Sequence, residues 1–188
     1  MKVTREQAAQ NRQRILDVAA QLFREHGFEG IGVADLMKEA GLTHGGFYGH
    51  FSSKDDLIAQ ASARELTRSL ALWSKAGDRT SGDRLSAIAT VYLTSTHRDN
   101  PGAGCMLAAL GPDVSRQGPA VRRAVTDYVR SVVDLLVKLV PGKSKAARRQ
   151  KAISAYATLV GAMVLARAVD DRALSQEILD AGVWSAKA

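Results

Sequence analysis

The stretch from Val33 to Phe51 constrains this chain more than any other: Val-Ala-Asp-Leu-Met-Lys-Glu-Ala-Gly-Leu-Thr-His-Gly-Gly-Phe-Tyr-Gly-His-Phe. Val33, Leu36, Met37 and Ala40 recur at i, i+3, i+4 and i+7, the spacing of one buried helical stripe. Gly41 follows, and glycine suits the left-handed turn that ends such a helix. Thr43 is placed to cap a second short helix through its side-chain oxygen. Gly45 and Gly46 inside that second helix each cost about 1 kcal/mol relative to alanine. A chain accepts such glycines where its backbone must approach something closely, and a DNA phosphate or base edge is one such surface.

The composition predicts an all-α protein. Hydrophobic residues make up 46% of the 188, only 4 residues are proline, and aromatics are 5%. Alanine and leucine dominate, without alternating β-branched runs. The lone cysteine, Cys105, excludes an internal disulfide framework and fits a reducing compartment. The start from Met1 to Gln13 is polar, unlike a signal peptide. No apolar run approaches the ~20 residues of a membrane span, so a cytoplasmic protein with no membrane partner is expected.

The net charge is +7, but its placement matters more than its size. Residues 1–56 carry seven Lys and Arg against eight Asp and Glu, a balance of −1, which leaves +8 for residues 57–188. A DNA surface would therefore rest on local cations: Lys2, Arg5, Arg12 and Arg14 before the helix pair, and His44, His50 and Lys54 after its turn.

Along the chain, Thr4-Arg-Glu-Gln7 is a capping-box pattern that opens a helix. Ile15, Ala19, Leu22, Phe23 and His26 form its stripe, and Gly27 ends it. Ser52-Ser-Lys-Asp55 is a second capping box, opening a long helix to about Lys75. Gly77 to Gly82 reads as a linker. Further helices are expected over Asp83 to Arg98, Cys105 to Ser115, Pro119 to Leu139, Ser144 to Val169 and Asp171 to Trp184.

The first 60 residues resemble the N-terminal DNA-binding domain of the TetR/AcrR family of bacterial transcriptional regulators. The resemblance is carried by Ile15-Leu16 through Phe23, Gly27-Phe28, Val33-Ala-Asp-Leu-Met37 and Ala40-Gly-Leu-Thr43. It continues through Gly45-Gly-Phe-Tyr48, His50-Phe51 and Ser53-Lys-Asp-Asp-Leu57. One departure is Gly32, where the family usually has a serine or threonine cap; glycine there loses a few tenths of a kcal/mol. The resemblance implies an N-terminal three-helix bundle with a helix-turn-helix over residues 1–56. A long helix would join it to a helical effector-binding and dimerisation domain over residues 57–188. It further implies a homodimeric repressor, released from its pseudo-palindromic double-stranded DNA operator by a small-molecule effector.

Within the motif, Thr43, His44, Gly45, Gly46, Tyr48, His50 and Lys54 are the candidate DNA-facing residues. Tyr48 and Lys54 suit phosphates, and His44 suits a base edge. Phe47 and Phe51 read as core. Trp73, Tyr92, His97, Cys105, Met106, Tyr128 and Met163 are the candidate effector-pocket residues, apolar bulk with a few polar atoms. Cys105 opens a predicted helix, where a thiolate is favoured, so a redox- or electrophile-sensing regulator is an alternative. A non-sensing architectural DNA-binding protein is another. Ala152, Ala155, Ala157, Gly161, Ala162 and Ala166 would permit close helix packing, at a dimer interface or within one subunit. The 4 histidines show no metal-ligand spacing and no glycine-rich phosphate loop is present. No metal, cofactor or catalytic residue is expected, and hence no enzyme.

Overall fold

The computed structural model describes residues 4–78 and 83–186, all helix and connection with no strand among them. The elements are α1 (Arg5–His26), α2 (Val33–Glu39), the 3-10 helix η1 (His44–Gly49), α3 (Lys54–Asp78), α4 (Arg84–Tyr92) and α5 (Ser95–Asp99). Then come the 3-10 turn η2 (Pro101–Ala103), α6 (Met106–Val114), α7 (Pro119–Val137), α8 (Lys145–Ala168) and α9 (Arg172–Ser185). This is the all-α architecture that the sequence predicts.

Local chemistry sets the boundaries of the N-terminal elements. The Thr4 hydroxyl accepts from the Gln7 amide at 3.1 Å and opens α1. Gly27 (φ 80) and Gly41 (φ 69) alone take positive φ among the described residues. At Gly41 the chain forms a Schellman cap: the Leu42 amide donates to the Met37 carbonyl and the Gly41 amide to the Lys38 carbonyl, both at 2.9 Å. That cap turns the chain from α2 into η1.

Three expectations change. The Thr43 side chain makes no capping bond; its carbonyl instead accepts from Gly46 at 3.0 Å, the i+3 bond of a 3-10 turn. The second capping box starts one residue later than expected. The Ser53 hydroxyl accepts from the Asp56 amide, and Asp56 returns to the Ser52 amide and hydroxyl, each at 3.0 Å. Hydrogen bonds from Gln60 and Ser52 hold the Asp56 carboxyl below its usual range. The single helix expected over Asp83 to Arg98 is two, because Thr94 caps α5 by accepting from the His97 amide at 3.1 Å. The His97 imidazole Nδ1 meanwhile engages the Tyr92 carbonyl at 2.7 Å, which replaces a helical bond at the break.

α3 runs on through Gly77 to Asp78; the rest of the expected linker, and Lys2, lie outside the described residues. α3 belongs to both halves of the molecule, packing on α1 and then on α7. In its second half Trp73 stacks against Tyr92 of α4 and Tyr156 of α8, with centroids 5.3 and 5.6 Å apart. α7, α8 and α9 complete the body. Gly182 lets α9 seat closely: a Cβ there would stand 2.5 Å from Leu93 Cδ1 and 3.0 Å from Ala162 Cβ.

Candidate nucleic-acid interface and ligand cavity

η1 is held from behind and presented in front. Phe47 is fully buried and packs on Phe51, centroids 5.7 Å apart. Residues around Phe47 face outward, Tyr48 most of all. Tyr48 is 68% exposed, its ring standing edge-on to Phe47 at 5.2 Å and to His44 at 6.3 Å. Thr43, His44 and Gly45 are exposed, and Gly46 and His50 half-buried. A Cβ added at Gly45 would meet nothing within 4 Å, so this glycine is open surface rather than a packing necessity.

Thr43, His44, Gly45 and Tyr48 are thus all exposed, the His44 and Tyr48 rings meet edge-on, and Thr43, His44 and Tyr48 are the side chains that reach outward. Lys54 starts α3 near the turn after α1, its ammonium 3.2 Å from Glu29 Oε2. A phosphate there would compete with that carboxylate. Arg12 is committed elsewhere: its guanidinium lies 4.9 Å from the Phe51 ring centroid and bonds Gln60.

A cavity of about 490 Å³ opens in the body, walled by α3, α4, α5 and the η2 loop. It gathers Trp73, Tyr92, His97 and Cys105 from the expected pocket set. Met106, Tyr128 and Met163 do not line it; they are buried in the core around it. Tyr128 stands one layer back, its hydroxyl 2.9 Å from that of Ser69, which does line the cavity. Burial pushes the Tyr128 hydroxyl up to about 12.

The polar groups of the cavity are unequally free. His97 is locked: its Nε2 accepts from the Cys105 amide at 2.9 Å. Nδ1 must then carry the proton and donate to the Tyr92 carbonyl. Burial lowers the His97 pKa from its usual 6.5, in keeping with this neutral tautomer. The imidazole therefore spends its acceptor on the Cys105 backbone. The Tyr92 hydroxyl, by contrast, is buried with no oxygen or nitrogen partner, only the Cys105 thiol beside it, and burial pushes its pKa well up. A buried donor in that state is what a ligand's acceptor can satisfy.

Two arginines, Arg24 buried and Arg167 half-buried, flank this wall, and the sequence reading does not single out either. Arg167 of α8 donates from Nη2 to the His97 carbonyl at 2.7 Å and from Nε to the Arg98 carbonyl at 3.1 Å, at the C-terminal end of α5 where a cation is favoured. Arg24 of α1 donates from Nε to the Gly102 carbonyl at 2.8 Å, also from Nη2, and faces Glu65 Oε1 at 3.4 Å. Burial draws both guanidinium pKa values below their ordinary value. The signal in the sequence was Arg24 directly after Phe23 on the buried stripe of α1, and the paired glycines of Pro101-Gly-Ala-Gly104.

A helix closed by a left-handed glycine, followed by an exposed short helix on a buried aromatic pair, defines a helix-turn-helix protein. Here it is joined through α3 to a larger helical body with a cavity. Residues 15–61 match the family described as bacterial regulatory proteins, tetR family, so the N-terminal helix-turn-helix segment is similar to the DNA-binding segment of that family. It is 40% identical over 57 residues to the HTH-type transcriptional regulator AcrR of Shigella flexneri, covering 30% of this chain and 26% of that one. It is 33% identical over 97 residues to an HTH-type transcriptional regulator of Staphylococcus aureus, covering 51% of this chain and 52% of the relative. The chain thus spans about a quarter to a half of the length of these relatives. The reduced form of Escherichia coli NemR superposes with a TM-score of 0.78 at 24% identity, covering 95% of each chain. A TetR-family regulator from Agrobacterium tumefaciens gives 0.79 at 22% identity, covering 94% and 97%. At these identities the superpositions speak for the fold, and they extend it over the whole body.

Proposed function

We propose that this chain is a homodimeric, sequence-specific DNA-binding transcriptional regulator, a repressor released from its operator when a small molecule fills the cavity. The observation that carries the DNA-binding reading is the exposed face of η1. Thr43, His44 and Tyr48 project from a segment moored by Phe47 and Phe51, and glycine allows close approach of the backbone. With so few side chains, base reading falls to His44 and Thr43, while Tyr48, His50 and Lys54 position the protein on phosphates. Dimerisation is supported by apolar side chains left outside on α8 and α9: Ile153, Leu165, Leu174 and a 72% exposed Trp184. The small-residue stripe of α8 divides accordingly, with Ala152, Ala162 and Ala166 buried inside the subunit and Ala157 outside. A twofold dimer demands a pseudo-palindromic operator. The role is regulatory rather than enzymatic, and its place is the cytoplasm.

Retention of sheared genomic DNA from the source organism, followed by sequencing, tests this. A few enriched fragments sharing one pseudo-palindrome are expected. Retention without sequence preference would instead indicate an architectural role, and no retention at moderate salt would defeat the proposal. Replacement of His44 is expected to change sequence preference.

A second reading is favoured by Cys105 lining the cavity within electrostatic reach of Arg24 and Arg167. In it, the effector is an electrophile or oxidant acting at the thiol. A thiol-reactive compound should then release DNA, and Cys105→Ser should abolish the response; release that persists in the serine variant removes this reading.

A further inference from the structure

The Pro101–Gly104 loop is a wall of the cavity on one side and a seat for α1 on the other. Its two glycines mark the two faces. A Cβ on Gly102 would fall 2.0 Å from Glu25 Oε1 and 3.0 Å from Gln21 Cγ, both on α1. A Cβ on Gly104 would fall 2.6 Å from the His97 ring, which lines the cavity. At Gly104 the locked His97 ring leaves no room for a side chain, while at Gly102 the nearest atoms belong to the exposed, flexible Glu25 and Gln21 side chains, so the loop backbone lies clamped between α1 and the cavity.

Arg24 ties that clamp together. It lies in the last turn of α1, three residues before the Gly27 turn that leads toward α2. Its guanidinium grips the Gly102 carbonyl with two donors and faces Glu65, itself a cavity residue on α3. One side chain of the reader thus contacts Glu65, which lines the ligand site, and Gly102, which directly precedes the lining residues Ala103 and Gly104. Its Nη1 is the atom that faces Glu65 Oε1 at 3.4 Å, buried and without a well-formed hydrogen bond there, so the ion pair is loosely made and open to a second geometry. A buried charge left unpaired is strongly unfavourable, so the guanidinium must follow its partners when they move.

We infer that Arg24 is the positioning residue that carries cavity occupancy to the DNA-binding face, by coupling the Gly102 loop and Glu65 to the C-terminal turn of α1. This rests on the reading of the cavity as an effector site and names how that site acts. An occupant that displaces the loop or Glu65 draws on Arg24, which tilts the end of α1 and with it the α2–η1 unit. Coupling of this kind is reciprocal, so DNA held by η1 should also change how readily the cavity fills.

The test needs no knowledge of the effector. Cys105 is the only cysteine, so one N-ethylmaleimide group, added to the unfolded chain before refolding and verified by mass, places a defined adduct at the cavity wall. Amide hydrogen exchange is then followed in two peptides, one over residues 19–28 and one over residues 101–106. In the parent, alkylation should accelerate exchange in both by about fivefold or more, the lower end of ordinary coupling. In Arg24→Lys, which keeps the charge but not the fork of donors, the change should stop at residues 101–106. Arg64→Ala removes another α1–α3 ion pair, Arg64 to Asp17 at 2.9 Å, away from the cavity, and should transmit like the parent. If Arg24→Lys fails to fold, Glu65→Gln carries the same test and should reduce transmission by at least half.

The inference is overturned if residues 19–28 respond equally in Arg24→Lys. It is also overturned if the parent responds at neither peptide or only in the loop, or if Arg64→Ala blocks transmission as fully. DNA retention by the same samples gives a separate answer. If no sample retains DNA, the regulatory reading fails while hydrogen exchange still decides the coupling.

Discussion

The two halves of this molecule use their aromatic and glycine residues in opposite ways. In the reader, Phe47 and Phe51 are buried so that the segment between them can face outward, and Gly45 leaves the surface bare. In the body, Trp73 and Tyr92 stack around an internal space, and Gly102 and Gly104 let backbone and side chains come together within it. The reader is a rigid platform whose chemistry is presented to a large partner. The body is an incompletely filled core whose space would suit a small one in the proposed reading. A surface of the first kind depends on local turns. A cavity of the second kind depends on elements far apart in the chain failing to close completely on each other.

The largest test of this contrast is to unmoor the platform. Phe47→Ala should cost about 3–5 kcal/mol in chemical denaturation, since the ring is fully buried. A loss below about 1 kcal/mol would show that η1 is not held through this ring. The matching change in the body is Gly182→Val, which should lose about 1–3 kcal/mol as its side chain meets Leu93 and Ala162. An unchanged melting curve would mean that α9 shifts freely on α8.

A smaller effect separates the halves by pH. His97 has a lowered folded-state pKa, so the unfolded chain binds its proton first as pH falls. Its contribution to stability is complete above the usual value of 6.5 and is lost as pH drops toward the folded value, at a slope of at most about 1.4 kcal/mol per pH unit. Denaturation midpoints measured from pH 7.5 to 5 should show this slope in the parent, and His97→Gln should flatten it. The smallest change in stability belongs to the reader's surface. Lys54→Ala removes a partly exposed pair with Glu29 and should shift folding by less than about 1 kcal/mol. It should nonetheless weaken binding to all DNA sequences alike and reduce the salt slope by about one. An unaltered slope would take Lys54 out of the phosphate contacts.

Much of the reader was legible because its signals are local. The i, i+3, i+4, i+7 stripe of α2, the glycine at Gly41 and the aromatic pair of η1 lie within one short stretch, and short-range sterics decide their structure. Even there, Thr43 misled: a threonine before a glycine-rich turn satisfies the capping pattern, yet the chain closes 3-10 bonds through its backbone. In the body the helices could be expected, but not the break at Leu93 and Thr94. Its cause is His97 reaching back to the Tyr92 carbonyl, an interaction that periodicity does not encode.

The sequence by itself determined the all-α class, the helix-turn-helix and the aromatic residues that moor it, because each follows from spacing along a few turns. Tertiary structure alone decided which members of the pocket set share a wall. Trp73, Tyr92, His97 and Cys105 meet there, while Met106, Tyr128 and Met163 fill the core around them. It also decided that Arg24, an ordinary basic residue in a last helical turn, would be buried against Gly102 and Glu65. The physical reason is the same in both cases. Burial, and the hydrogen bonds it compels, depend on what the rest of the chain brings to a point, and no local pattern records that.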